Sequence, residues 1–290
     1  MRTLLALLLT LGSLPAAPIV YEGTRGVGQG KHLVFIASDH EYRSEETLPA
    51  LARILARHHG FKSTLCFGVD ENGFLKAGES NIPGLEALKK ADLMVIFTRF
   101  QNLPDDQMVH IQDYLDRGGP VVGLRTASHA FKIPAGSTYA RHDFRSKVAG
   151  SENGFGHQIL GNTWVGHYGR NHKQGTRIQL VPKQKDHPIL RGVGDNAFTH
   201  AGAYNGIAGD DFTVLTMSQP LVSMEKDADP DTSKKPVPST WTRHYQSKSG
   251  QKPRVFHSTQ GASEDILDDD YRRLLINGIL WAAGMEDKIT

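Results

Sequence analysis

The sequence predicts an α/β protein with a three-layer, doubly wound and mainly parallel sheet. Two observations carry this expectation. Between residues 32 and 124, four short apolar runs alternate with segments of helical periodicity, the order that builds parallel strands with helices on both faces. The runs are apolar throughout rather than at every second residue, as strands buried on both sides must be.

The elements follow in order. His32–Ala37 (HLVFIA) is the first buried strand. Ser44 can cap the next helix, with Glu45 and Glu46 complementing the positive end of its dipole. Leu48, Leu51, Ala52 and Leu55 recur at helical spacing until Gly60 stops the helix. Thr64–Val69 is a second strand, Pro83–Ala91 a short helix and Leu93–Thr98 a third strand. Pro104 opens a helix that ends at Gly118-Gly119, and Pro120–Leu124 is the fourth strand. Residues 132–210 lack a long helical pattern and are rich in Gly, His and aromatics, which reads as irregular insertion over the sheet edge. Strands resume at Arg177–Val181, Phe212–Met217, Pro238–Tyr245 and Arg254–Ser258. The polar stretch Lys226–Pro238 is a surface excursion, and Tyr271–Ala283 closes the chain as a helix. No internal repeat or linker divides the sequence, so residues 18–290 are expected to form a single domain.

The 290 residues carry 33 Lys+Arg against 31 Asp+Glu, a formal net charge of +2. That balance gives no electrostatic footprint for nucleic acid. Met1-Arg2, the apolar run Thr3–Leu14 and the small residues Pro15-Ala16-Ala17 have the form of a secretory signal peptide. The apolar run is shorter than the ~20 residues that span a bilayer. The expectation is cleavage near Ala17 and a periplasmic or secreted protein without a membrane span. Cys66 is the single cysteine; no intramolecular disulfide can form, and its apolar surroundings make it a core residue. The fourteen histidines are the compositional outlier.

Ligands of open α/β sheets bind outside the carboxyl ends of the strands, so a site is expected in loops 38–43, 99–103 and 125–131. The first reads Ser38-Asp39-His40-Glu41-Tyr42-Arg43. His40 and Glu41 suit proton transfer, and Asp39 and Tyr42 suit binding. The plainer alternative is a helix-entry loop whose acids only complement the dipole. The third loop holds Arg125, Ser128 and His129. Ser128 beside His129 invites a serine-hydrolase reading, but chain neighbours do not form a Ser–His pair and no G-x-S-x-G surrounds Ser128. His129 is therefore the acid/base candidate, and Ser128 a binding one. His142, His157, His167 and His172 are candidate ligands of a divalent metal, although their spacing matches no zinc motif. The alternative is that they hydrogen-bond the backbone of a long irregular region. His200 and His257 fall at strand ends; His257 joins His167 and Asn171 among the binding candidates, whereas His187 begins a turn.

FIASDHEYRSEETLPALARIL (35–55), GGPVVGLRTASHAF (118–131), FGHQILG (155–161), DHPILRGV (186–193), PSTWTRHY (238–245) and RVFHSTQGASEDILDDDYRRLLINGILWAAG (254–284) together resemble the ThuA-like family of trehalose utilisation. The resemblance covers nearly the whole mature chain. It implies a flavodoxin-like sheet similar to that of class I glutamine amidotransferases. Arg125 stands where those enzymes carry a nucleophilic Cys in G-x-C-x-G, and where ThuA-like proteins commonly carry His. Thiolate chemistry on glutamine is thereby excluded. Arginine is a poor proton-transfer group but a good clamp for a carboxylate or a sugar oxygen.

The family's association with sugar catabolism, including routes through 3-keto sugars, implies a carbohydrate ligand. Tyr42, Trp164 and Tyr168 are candidates to stack on a sugar ring; Asp39, Glu41, Arg125, His129 and Asn171 are candidates to bind its hydroxyls. The expected function is an exported hydrolase, lyase or isomerase. His40 and His129 would be its acid/base groups, Glu41 or Asp39 the partner carboxylate and Arg125 the clamp. Two alternatives stay open: a non-catalytic carbohydrate-binding protein, and a metal-dependent hydrolase using the loop histidines. The oligomeric state is open, a homodimer being the simplest option.

Overall fold

The computed structural model describes residues 17–290, so the expected leader lies outside the described residues save for Ala17. Its strands are β1 (Ile19–Tyr21), β2 (His32–Ser38), β3 (Lys62–Phe67), β4 (Leu93–Thr98), β5 (Val121–Leu124), β6 (Asn162–His167), β7 (Thr176–Leu180), β8 (Ala197–Thr199), β9 (Tyr204–Ala208), β10 (Thr213–Pro220), β11 (Val237–His244) and β12 (Arg254–Ser258). The helices are α1 (Ser44–His59), α2 (Asp105–Asp116) and α3 (Asp269–Ala282), joined by short 3-10 turns.

A ten-stranded sheet runs in the order β1-β3-β2-β4-β5-β12-β11-β10-β7-β8, and β6 pairs with β9 in a separate ribbon. Every neighbouring pair from β3 to β12 is parallel. β1 pairs antiparallel with β3, and β11, β10, β7 and β8 extend the other side antiparallel. The sheet is thus mixed, where the sequence predicts a mainly parallel one. An apolar run marks a buried strand but carries no direction. The segments joining β10, β11 and β12 hold no crossover helix, which only antiparallel neighbours permit. In chain order the five parallel strands lie 2-1-3-4-5, with the topological switch point between β2 and β4.

Alternation along each strand sorts side chains to two faces. On one face Leu33, Phe35, Val95, Val122 and Phe256 pack under Leu48, Leu51 and Leu55 of α1 and Leu274, Leu275 and Ile279 of α3. On the other, Val34, Ile36, Met94, Ile96 and Val121 meet Met108, Ile111 and Leu115 of α2 and the turn Leu85–Lys90. Each fully buried side chain of this size contributes about 1.5–3 kcal/mol. The expected helix at Pro83–Ala91 is only that 3-10 turn.

Ser44 does not cap α1. Arg43 (φ 61) holds the cap position, and Ser44 Oγ instead accepts the Asp39 N–H at 2.9 Å. Gly60 (φ 81) ends the helix, as its sequence position predicts. Residues 132–210, expected to be irregular apart from the strand at Arg177–Val181, which is β7, also contain β6, β8, β9 and a π-helical turn, Gly156–Leu160. Arg243 Nη1 donates to the carbonyls of His157, Gln158 and Ile159 at the end of that turn, and Trp241 Nε1 donates to Leu160 O at 2.7 Å. A Cβ on Gly156 would lie 2.0 Å from Ser128 O, so only glycine allows the turn to press against the end of β5. The β6–β9 ribbon is thereby carried to the carboxyl ends of the parallel strands. Among the described residues no helix is long and apolar enough to cross a membrane.

Candidate functional site

At the switch point the ends of β2, β4 and β5 converge. Asp39, fully buried, closes the loop after β2: its Oδ1 accepts the N–H groups of Glu41 and Tyr42 and its Oδ2 the Thr126 hydroxyl at 2.7 Å. This is an Asx-type turn tied to the next strand's loop. Both carboxylate oxygens are thus occupied within the two loops.

Glu41 is the hub of the polar contacts. Its Oε2 lies 2.8 Å from Arg99 Nη2; its Oε1 accepts from Asn171 Nδ2 at 2.9 Å and meets His172 Nε2 at 3.2 Å. Burial works to raise its pKa, but hydrogen bonds from Asn171 and Tyr42 and the Arg99 charge outweigh burial, so the carboxyl sits below its usual range. Arg99 Nη1 also donates to His40 Nε2 at 2.6 Å, which ties two predicted site residues through one guanidinium.

Tyr42 is not an open platform. Its ring is buried between the Arg125 guanidinium, 4.2 Å from the centroid, and the His172 ring, while its hydroxyl donates to Asn171 Oδ1 and meets His167 Nε2 at 3.1 Å. Burial, followed by the charge of Arg125, lowers the pKa of His167 to about 4.

Arg125 follows β5 with φ 47 and no solvent exposure. Its guanidinium lies between the rings of Tyr42 and Tyr204 (4.2 and 3.7 Å), and Nη1 donates to Gly202 O and Thr259 O at 2.6 and 2.8 Å. Nε and Nη2 have no partner. Burial works against its charge, yet Tyr204, Tyr42 and the buried Asp265 carboxylate outweigh it and keep the group cationic.

His129, likewise buried, stacks on Trp164 at 4.6 Å and touches Phe100 at 5.0 Å. Its Nδ1 hydrogen-bonds Ser128 Oγ at 3.2 Å, so the two chain neighbours do pair, contrary to expectation, because the 3-10 turn after β5 brings both side chains to one side. Its Nε2 has no partner. Burial, then the charges of Arg99 and Arg125, hold its pKa well below the usual value, so the ring is neutral. Ser128 is buried and its hydroxyl also reaches Arg125 O.

The metal candidates do not come together. His142 Nε2 donates to Gln112 Oε1 (2.7 Å) beside α2, His157 faces Ile207 O, and only His167 and His172 reach the site. Among the described residues no group of three or more His, Cys, Asp or Glu is placed to hold a metal ion. His257 lies in the core beside Gly123 and Trp241 rather than at the open strand end, and burial lowers its pKa to about 3. Tyr168 faces Lys234.

Three contributors escape the sequence reading: Arg99, Phe100 and Tyr204. The first two lie in the loop after β4, which topology singles out, but nothing in their types marks them. Tyr204 sits in the stretch read as irregular. Backbone strain marks the same place. Among the described residues the non-glycine positions at positive φ are Arg43, Phe100, Arg125, Asn153, His172 and Asn196. Asparagine and histidine visit this region more readily than arginine or phenylalanine. Arg43, Phe100, Arg125 and His172 all border the cluster, and strain of this kind, about 1–3 kcal/mol each, gathers at functional sites.

Beside Phe100 and Trp164 opens a cleft of about 490 Å³. A larger hollow of about 990 Å³ lies at the amino ends of the parallel strands, lined in part by Asp116, Arg141, Arg243 and Lys248. It contains none of the strained or unpartnered side chains of the first cluster, and its own Arg243 spends its guanidinium on the π-helical turn and on Asp211.

No curated protein matches the sequence. Two solved structures are similar over most of their length: a ThuA-like protein from Bacteroides uniformis (14% identity, 89% of this chain and 93% of that one, TM-score 0.54) and one from Parabacteroides merdae (14%, 87% and 90%, TM-score 0.53). At such identity the likeness concerns the fold. The family profile described as "Trehalose utilisation" matches residues 31–282, which spans the core of the sheet, the ribbon and α3. The chain belongs to the ThuA family.

Proposed function

We propose that this protein binds a carbohydrate or sugar derivative in the cluster at the ends of β2, β4 and β5 and transforms it by acid/base chemistry without a thiolate. One observation carries the reading: Arg99 Nε, Arg125 Nε and Nη2, His129 Nε2 and Trp164 Nε1 are all buried without a partner. Each such group costs about 1–3 kcal/mol. The oxygens of a polyol are suited to satisfy them together, and the family's association with trehalose utilisation supports a sugar as that polyol.

The roles follow from geometry. His129, neutral, is suited to exchange a proton through Nε2; Glu41, ionised, to accept from a ligand hydroxyl; Arg125 to hold a ligand oxygen. Arg99 orients Glu41 and His40, while Asp39 holds the loop. The 2-1-3-4-5 order of the parallel strands supports a flavodoxin-like, three-layer arrangement akin to class I glutamine amidotransferases. The left-handed Arg125 after β5 corresponds to a strained nucleophile elbow, with a guanidinium in the nucleophile's place. Export with cleavage near Ala17 is part of the proposal, and N-terminal sequencing of protein recovered from cell fractions tests it.

The enzymatic reading is tested by incubating the protein with trehalose, simple glycosides and their keto derivatives and following the products by NMR. At least one is expected to turn over, and His129→Ala to slow it by about 10²–10⁴-fold. Turnover unchanged in His129→Ala and Glu41→Gln removes their roles. Saturable binding without turnover makes the protein a carbohydrate-binding one.

A further inference from the structure

We infer that the ligand of the cluster carries a carboxylate, gripped at both oxygens by the open edge of Arg125, so that the molecule bound is a sugar acid. This rests on the carbohydrate reading and adds to it the charge of the ligand. Nε and Nη2 of Arg125 share one edge of the guanidinium, and neither has a partner. That edge is the fork that holds a carboxylate by two parallel hydrogen bonds. The other side of the group is closed, because Nη1 already donates to Gly202 O and Thr259 O.

The charge is unmatched as well. Arg125 has no solvent exposure, and a buried charge is ordinarily paired. Among the described residues, the nearby carboxylates all have other partners. Asp39 accepts the N–H groups of Glu41 and Tyr42 and the Thr126 hydroxyl. Glu41 pairs with Arg99 and accepts from Asn171, with His172 beside it. Asp265, whose field reaches Arg125, has its oxygens on the N–H groups of His200, Ala201, Gly261 and Ala262. Arg125 is left a buried cation whose hydrogen bonds go to neutral carbonyl oxygens.

The orphaned nitrogens favour the same ligand group. Arg99 Nε, Arg125 Nε and Nη2 and Trp164 Nε1 can only donate. A hydroxyl that accepts from one of them brings a hydrogen that needs an acceptor in turn. A carboxylate brings acceptors alone, about four lone-pair sites on its oxygens. The Tyr42 and Tyr204 rings on either side of the guanidinium, 4.2 and 3.7 Å away, confine the fork to its own plane. A flat carboxylate matches that plane better than a tetrahedral phosphate does. Tyr204 also ties the fork to the rest of the cluster, its ring lying 5.9 and 6.1 Å from those of His129 and Trp164. One small molecule therefore reaches Arg125 with its carboxylate and His129, Trp164 and Arg99 with its hydroxyls.

The test is calorimetric titration with glucose, galactose and mannose, each matched to its uronate and to the neutral uronamide. Glucose 6-phosphate and lactate complete the panel, and the series is repeated on Arg125→Lys. At least one uronate is expected to bind at least about tenfold tighter than its parent sugar and its amide. Arg125→Lys keeps the charge and loses the fork, so it is expected to remove most of that preference, read as the ratio of uronate to sugar affinity. Should Arg125→Lys fail to fold, a crystal structure of the unaltered protein with the preferred uronate replaces it, and the carboxylate is expected on Nε and Nη2. Equal affinities for uronate, amide and sugar, a preference that Arg125→Lys retains, or a carboxylate seated elsewhere overturns the inference while the carbohydrate reading stands. Tighter binding of the phosphate ester than of every uronate does the same. Lactate bound as tightly as the uronates, with no sugar bound, keeps the carboxylate on Arg125 and overturns the carbohydrate reading instead. No binding by any member of the panel overturns both.

Discussion

Arg125 joins two costs at one position, a left-handed backbone and a buried charge whose Nε and Nη2 lack partners. The two can be separated. Arg125→Ala and Arg125→Gly both delete the guanidinium, but only glycine relaxes φ 47, so Arg125→Gly is expected to be the more stable of the two by about 1 kcal/mol in urea denaturation. Equal stabilities would mean the backbone is unstrained there. The buried histidines give a second residue-scale prediction. His129, His142 and His257 are harder to protonate folded than unfolded, because burial disfavours the cation; for His142 and His257 the values fall to about 4 and about 3. Below the usual 6.5 the unfolded chain takes up protons that the folded chain refuses. Stability is therefore full above pH 6.5 and declines toward pH 4, each ring adding up to about 1.4 kcal/mol per pH unit to the slope. Denaturation midpoints that stay level between pH 7 and 5 would contradict it. At this scale the sequence shows which residue types cluster but not what they do there: Asp39 and Glu41 are two carboxylates two positions apart, and only the turn decides that one shapes the loop while the other gathers Arg99, Asn171 and His172.

The strand β5 is pinned from one face by the π-helical turn and His257. A Cβ on Gly123 would lie 2.6 Å from Leu160 Cδ1 and 2.9 Å from His257 Nδ1. Gly123→Ala is expected to cost about 1–3 kcal/mol, whereas Gly166→Ala in β6, with nothing within 4 Å, should stay within about 0.5 kcal/mol. In β3 the Cys66 thiol is buried and its pKa pushed up to about 12. Thiol reagents should therefore react with it only as the protein unfolds, and fast labelling under native conditions would show that β3 opens locally. β2, β4 and β5 are legible as strands because both faces are covered and their central positions are all apolar. The ribbon β6–β9 is not: Val165 and Ile207 point outward, so no apolar alternation survives to be read.

At the scale of the molecule, the parallel half of the sheet sets where chemistry gathers. The switch point between β2 and β4 brings together Asp39, Glu41 and Tyr42 from one loop and Arg99 and Phe100 from the next. The strand–helix alternation made those loops identifiable in advance. The ribbon and the loop after β6, which supply Trp164, His167, Asn171 and Tyr204, are long-range partners whose placement depends on pairings between distant segments, and local pattern does not encode it. The larger hollow at the amino ends offers a direct rival to this placement. A crystal structure of the protein with a bound sugar decides between them. A ring held between Glu41, His129 and Trp164, with a ligand oxygen on the free edge of Arg125, is the expected result. A sugar seated instead among Arg141, Arg243 and Lys248, with the strand-end cluster unchanged, would contradict it.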